Sequence, residues 1–109
     1  NNWSDSLLLF EDGNRNGVID NADLIVKRID LQLKNAYIIW NGFGSSRITF
    51  ESLGLTYASN GTFTYCQNDK DPLYSRQVII SRGARARLSY DKNGDGLHDN
   101  TAGKTINCP

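Results

Sequence analysis

Apolar positions in this chain come in short runs separated by clusters of Gly, Asn and Asp. "WSDSLLLFED" carries the run Leu7–Phe10 and is closed by Asp12-Gly13, which fits a buried strand. "GNRNG" behind it is a loop in which Gly13, Asn14, Asn16 and Gly17 all tolerate positive φ. "ADLIVKRIDLQL" is ambiguous, because Leu24, Ile25, Ile29 and Leu33 also fit one helical face. Its β-branched content and the preceding turn favour a strand. "NAYIIW" predicts a strand ended by "NGFGSS", and "RITFESLGL" and "GTFTYCQ" predict two more, parted at Asn60-Gly61. "RQVIIS" and "ARARLSY" flank Arg82-Gly83 and predict a hairpin whose glycine takes the positive-φ position. In the tail, "DKNGDGLHDNTAGKTINCP", only "KTIN" suggests a short edge strand. There is no convincing amphipathic helix, internal repeat or linker. The expected architecture is one all-β domain over residues 1–109, built from antiparallel sheets.

Composition agrees with a folded single domain. The chain has 109 residues, 39% of them hydrophobic, enough for one core but not two. Twelve basic and twelve acidic residues cancel, so global charge implies no nucleic-acid or acidic partner. Their distribution says more. Residues 1–23 hold five acids and one arginine, whereas Pro72 to Tyr90 hold four arginines and no acid. The molecule is neutral but polarised.

Cys66 and Cys108 are the only cysteines, in no CxxC pattern and with no histidine at a zinc-ligand spacing. A disulfide is the preferred reading, and two buried free thiols are the alternative. A disulfide implies an oxidising compartment. The sequence shows no signal peptide and no transmembrane run, and it opens at "NNWSDSLLLF" without an initiator Met. These features suggest a mature or trimmed exported domain.

Two loops resemble calcium loops. "DGNRNGVIDNAD" places Asp12, Asn14, Asn16, Gly17, Val18, Asp20 and Asp23 at loop positions 1, 3, 5, 6, 7, 9 and 12. "DKNGDGLHDNTA" repeats the pattern with Asp91, Asn93, Asp95, Gly96, Leu97 and Asp99, but Ala102 holds the last position. Calcium wants six to eight oxygens, including a bidentate Glu at position 12. Neither loop supplies it, and neither is flanked by confident helices. Turns stabilised by Asp and Asn side chains are the simpler reading, with no metal and no cofactor expected. Catalysis also finds little support. His98 is the only histidine and is expected to be solvated, and no GxSxG elbow or phosphate loop is present. The chain does not read as an enzyme.

The sharpest feature is "SRGARARLSY". In a strand, Arg85 and Arg87 share one face while Ala84, Ala86 and Leu88 share the other, so the small-residue face can pack closely. Arg82 stands at the tip and Gly83 provides the turn. Planar guanidinium forks suit phosphate oxygens. A solvated face whose arginines pair with the acidic first half of the chain explains the cluster equally well on physical grounds.

The order "WSDSLLLFEDGNRNGVIDNAD", "RITFESLGLTYASNGTFTYC", "RQVIISRGARARL" and a C-terminal Cys resembles the GspH/FimT-type minor pilins and pseudopilins over nearly the whole chain. The resemblance implies a β-rich head that normally follows a membrane-embedded N-terminal helix, which this chain lacks. It implies a non-enzymatic assembly component of type IV pili or type II secretion, partnered by other minor and major pilins. The expected location is the inner membrane, periplasm and extracellular pilus of a Gram-negative bacterium. The chain is further similar to FimT-like members of natural transformation systems, which bind DNA through a "GRxR"-type motif. Here the motif reads Gly83-Ala84-Arg85-Ala86-Arg87, with Arg82 before the glycine and Ala84 inserted. By that resemblance Arg82, Gly83, Arg85 and Arg87 form the DNA site. The expected ligand is double-stranded DNA, since few aromatics lie among the arginines to stack on bases. Binding without sequence preference is expected, because three arginines on a two-strand edge mainly offer phosphate contacts. The isolated head is expected to be monomeric. The alternative is a pilin or pseudopilin that primes assembly without binding DNA. A calcium-stabilised adhesive head is a third reading.

Overall fold

The computed structural model describes residues 3–16, 19–21, 23–42, 47–51, 56 and 60–109. Among these residues, six strands form two antiparallel sheets. β1 (Ser6–Glu11) and β2 (Leu24–Asp30) make a two-stranded sheet, with a register shift between Leu9 and Phe10. β3 (Ala36–Gly42), β4 (Gly61–Gln67), β5 (Arg76–Ile80) and β6 (Ala86–Leu88) form a four-stranded meander in chain order. A single 3-10 turn, Pro72–Tyr74, joins β4 to β5; Asp71 caps it by accepting from the Leu73 amide. The described residues contain no α-helix. The ambiguous segment is therefore a strand, as its β-branched residues favoured.

The meander has two unlike faces. Trp40, Phe63, Val78 and Leu88 stand in one cross-strand row, so their side chains share a face. Trp3 extends the apolar side of that row. Its amide donates to the Ile38 carbonyl at 2.9 Å, and its ring lies 5.1 Å from Phe63 and 6.1 Å from Trp40. Ser4 reinforces this join by accepting from the Ile38 amide at 2.9 Å. Gly42 and Gly61 face each other at the end of β3 and β4, where the Trp40 indole crosses them. A Cβ on Gly61 would stand 2.6 Å from the Asn41 carbonyl oxygen and 2.8 Å from Trp40, so both sites require glycine.

The C-terminal segment covers part of the opposite face. Cys66 is fully buried and bonded to Cys108, while the Tyr37 hydroxyl donates to the Pro109 carbonyl at 2.7 Å. Ile106, at 3% exposure, joins Trp40 and Cys66 as the fully buried apolar residues among those described. Buried Thr56, Thr64, Ser75, Ser89 and Asp99 supply the rest of the interior among the described residues. So small an apolar core gives a covalent tie more to do than it would have in a larger domain. The radius of gyration is 15.3 Å, against about 13 Å for a compact chain of this length. The fold is elongated, and every residue of β2 is exposed.

Several expectations need correction. Arg47–Glu51, the first half of "RITFESLGL", form no strand; residues 52–55 lie outside the described residues. "KTIN" contributes a single bridge, Thr105 to Asp99, instead of a strand. Among the described residues of the first loop, Arg15 takes the left-handed conformation at φ 55°, and Gly17 lies outside them. The face of β6 expected to pack closely is open, because β6 is the sheet edge: Ala86 is exposed and Leu88 is 72% exposed. Val78, its row neighbour, lies on only one side of Leu88, and among the described residues no further strand lies beyond.

Candidate functional site

The arginine hairpin is a tight reversal built from local hydrogen bonds. The Ala84 amide donates to the Ser81 carbonyl at 3.0 Å, and the Ser81 amide donates to the Arg85 carbonyl at 2.9 Å. The Arg85 amide also donates to Ser81 Oγ at 3.3 Å. A three-residue hairpin loop of this kind ends on a left-handed residue, a place usually given to glycine. Here Ala84 occupies it, at φ 59°. Gly83 does not have positive φ, and a Cβ there would find its nearest neighbour, Ser81 Oγ, at 3.9 Å. The predicted role of Gly83 is thus filled by the next residue, because closing the 81–85 pair puts the left-handed step at the last loop position.

A second segment holds the turn from behind. Thr56, 2% exposed, donates its amide to the Arg82 carbonyl at 3.0 Å. Its hydroxyl reaches the Ser81 carbonyl at 2.9 Å and the Arg82 carbonyl at 3.2 Å. Nothing in the sequence singled out Thr56, since a lone Thr 26 residues from its partner leaves no local pattern.

Arg82, Arg85 and Arg87 are all exposed. Among the described residues no ion pair or side-chain hydrogen bond occupies their guanidiniums. Arg76, the fourth arginine of the acid-free stretch, differs: its Nη1 donates to the carbonyls of Leu73 and Ser75 at 3.1 and 2.8 Å. The first half of the chain supplies no carboxylate to the cluster. Arg87 pairs with Ile79 in the row Asn41, Thr62, Ile79, opposite to the face of Leu88. The hairpin therefore offers cations on one face and an open apolar edge on the other. Just beyond β6, Tyr90 is 56% exposed, with the Lys92 ammonium 5.6 Å from its ring.

The two Asp/Asn loops are held mainly by their own amides. In the first, Asp23 accepts from the amides of Gly13 and Asp20, Asp12 accepts from Asn16, and Asp20 accepts from the side-chain amides of Asn14 and Asn16. In the second, Asp91 accepts from Gly94 at 2.9 Å and Gly96 at 2.7 Å, Asn93 from Asp95, and Asp95 from Leu97. The Gly96 amide, aided by Gly94 and others, holds the Asp91 carboxyl below its ordinary range. Among the described residues no three His, Cys, Asp or Glu side chains gather as a ready-made metal site. His98 is not simply solvated. It is half-buried, and its Nδ1 lies 2.9 Å from Ser89 Oγ, which itself accepts from the Gln77 amide.

These features define a small, disulfide-tied, all-β head with a basic hairpin at one sheet edge. The family model described as type II transport protein GspH matches residues 1–84, and the chain belongs to that family. It is a minor pilin or pseudopilin of the GspH/FimT type, a component that associates with other pilins in the cell envelope. No curated protein and no solved structure matches the chain. The matched segment ends at Ala84, so Arg85, Arg87 and the whole second loop lie beyond it.

Proposed function

We propose that this minor pilin is a non-enzymatic DNA-capturing head, binding double-stranded DNA through phosphate contacts from Arg82, Arg85 and Arg87. One observation carries the reading: three exposed guanidiniums, none engaged by an acid, stand on one hairpin held rigid by Thr56. Phosphate contacts carry no sequence information, so binding is indifferent to base sequence. Capture takes place outside the inner membrane, with the head monomeric when separated from its assembly. Display of several heads along a pilus raises the effective affinity.

The test is a gel-shift titration at two salt concentrations. With three or four phosphates neutralised, log K falls against log salt with a slope of about −3, or roughly 60-fold between about 50 and 200 mM. Affinity of a single head is expected to be micromolar or weaker, roughly 10⁻⁴–10⁻⁶ M. Replacing Arg85 and Arg87 together by Gln abolishes the shift and leaves the fold intact, because both side chains are exposed. An unchanged shift in that variant refutes the DNA site.

The assembly reading draws on a different observation, the open β6 edge with Leu88 72% exposed. There the same arginines meet acids of a neighbouring subunit. No gel shift with the parent protein, together with lost pilus or pseudopilus formation in a Leu88→Ser strain, supports it.

A further inference from the structure

The expectation of plain Asx turns leaves one group in the second loop unexplained. Asp99 is 2% exposed, yet its Oδ1 has no hydrogen-bond partner. Its Oδ2 accepts from the Lys92 amide at 2.7 Å, which lays the carboxylate against the first peptide of the loop. Backbone bridges to Tyr90 and Thr105 fix the Asp99 backbone from both sides, and the Lys92 bond holds its side chain inward. Leaving a buried carboxylate oxygen unpaired costs more than an ordinary lost hydrogen bond. A buried, unsatisfied acid calls for a donor or a cation.

The rest of the loop is already shaped for a cation. Asp91, Asn93 and Asp95 alternate along it, and Gly96 makes the sharp turn at φ 86°. The amides of Gly94, Asp95, Gly96 and Leu97 point back at these side chains, which leaves their remaining lone pairs for an ion. We propose that residues 91–99 bind one calcium ion. Its ligands are Asp91, Asn93, Asp95 and the Leu97 carbonyl, with Asp99 reached through an ion-bound water that donates to the orphaned Oδ1. A water at the ninth position is usual in calcium loops. It also agrees with the absence of three converging carboxylates among the described residues. Ala102 replaces the bidentate Glu, so water completes the shell and the affinity falls in the range of extracellular calcium modules, about 10⁻⁴–10⁻³ M. Magnesium is disfavoured, because it needs near-ideal octahedral geometry and gives up its water reluctantly.

The first loop does not carry the same inference. Its residues from Asp12 to Asp20 are exposed or half-buried where described, and Asp23 is satisfied by two amides.

The proposal is independent of DNA binding and is tested on the purified, disulfide-intact protein. Calcium chloride at about 5 mM is expected to raise the melting temperature by about 5–10 °C over the protein in EDTA. Magnesium at the same concentration has little effect. Asp95→Ala, at an exposed position, and Asp99→Ala each remove the calcium response, whereas Asp20→Ala in the first loop keeps it. Should Asp99→Ala fail to fold, Asp95→Ala alone decides. An unchanged melting temperature in calcium, an equal response to magnesium, a response kept in Asp95→Ala, or one lost in Asp20→Ala each overturns the proposal. The first of these outcomes means that only water meets Asp99.

Discussion

The Thr56 hydroxyl donates to the carbonyl oxygens of Ser81 and Arg82, at 2.9 and 3.2 Å, and so clamps the base of the arginine turn. The contact joins two segments far apart in sequence and leaves the guanidiniums facing outward. Replacing Thr56 with Val keeps the shape and the backbone bond to Arg82 but removes the hydroxyl. The expected loss is about 1 kcal/mol, or about 4–8 °C in melting temperature. DNA binding by gel shift should weaken only a few-fold, because the arginines remain. A variant as stable as the parent would show that the hydroxyl bonds add nothing.

Ala84 and Gly83 form a mismatched pair. Ala84 holds φ 59°, and Gly83 spends its freedom on an ordinary conformation. Ala84→Gly is expected to stabilise the protein by about 0.5–1 kcal/mol, and Gly83→Ala to be neutral or mildly stabilising. Urea denaturation measures both. Destabilisation by Ala84→Gly would contradict the left-handed assignment.

Gly61 has no room for a side chain. A methyl there meets the Asn41 carbonyl, the Gly42 Cα at 2.7 Å and the Trp40 ring, two of them backbone atoms that cannot swing away. Gly61→Ala is expected to cost about 1–3 kcal/mol, with altered near-ultraviolet dichroism from Trp40. Gly94→Ala provides a contrast: its Cβ meets nothing within 4 Å, and any cost comes from its φ of 78° alone.

The Cys66–Cys108 bond closes a loop with a sequence separation of 42. Replacing both cysteines with Ser removes about 4 kcal/mol in the chain-entropy model. Hydrogen exchange should accelerate first across residues 91–105. Their only regular pairings are isolated bridges, whereas β3 to β5 are held by continuous ladders. Equal acceleration in the sheet would indicate that the bond supports the whole core.

The sequence determined what depends on neighbours along the chain. Short apolar runs and the Gly and Asn clusters between them placed β1, β2, β3, β4 and β5 close to their observed positions, because such runs and turns are local features. A lone cysteine pair foretold the disulfide, and the arginines were visible as a cluster before any fold was known. Tertiary structure decided what depends on distant partners. Ala84, not Gly83, took the left-handed step because the hairpin closes at Ser81 and Arg85. Leu88 became an open edge because β6 ends the sheet among the described residues, and Thr56 became a clamp only when it met Arg82 in space. Asp99 reads in the sequence as one more turn aspartate. Only the fold buries it, where it bridges Tyr90 and Thr105, since burial is set by segments that meet in space and not by residue type.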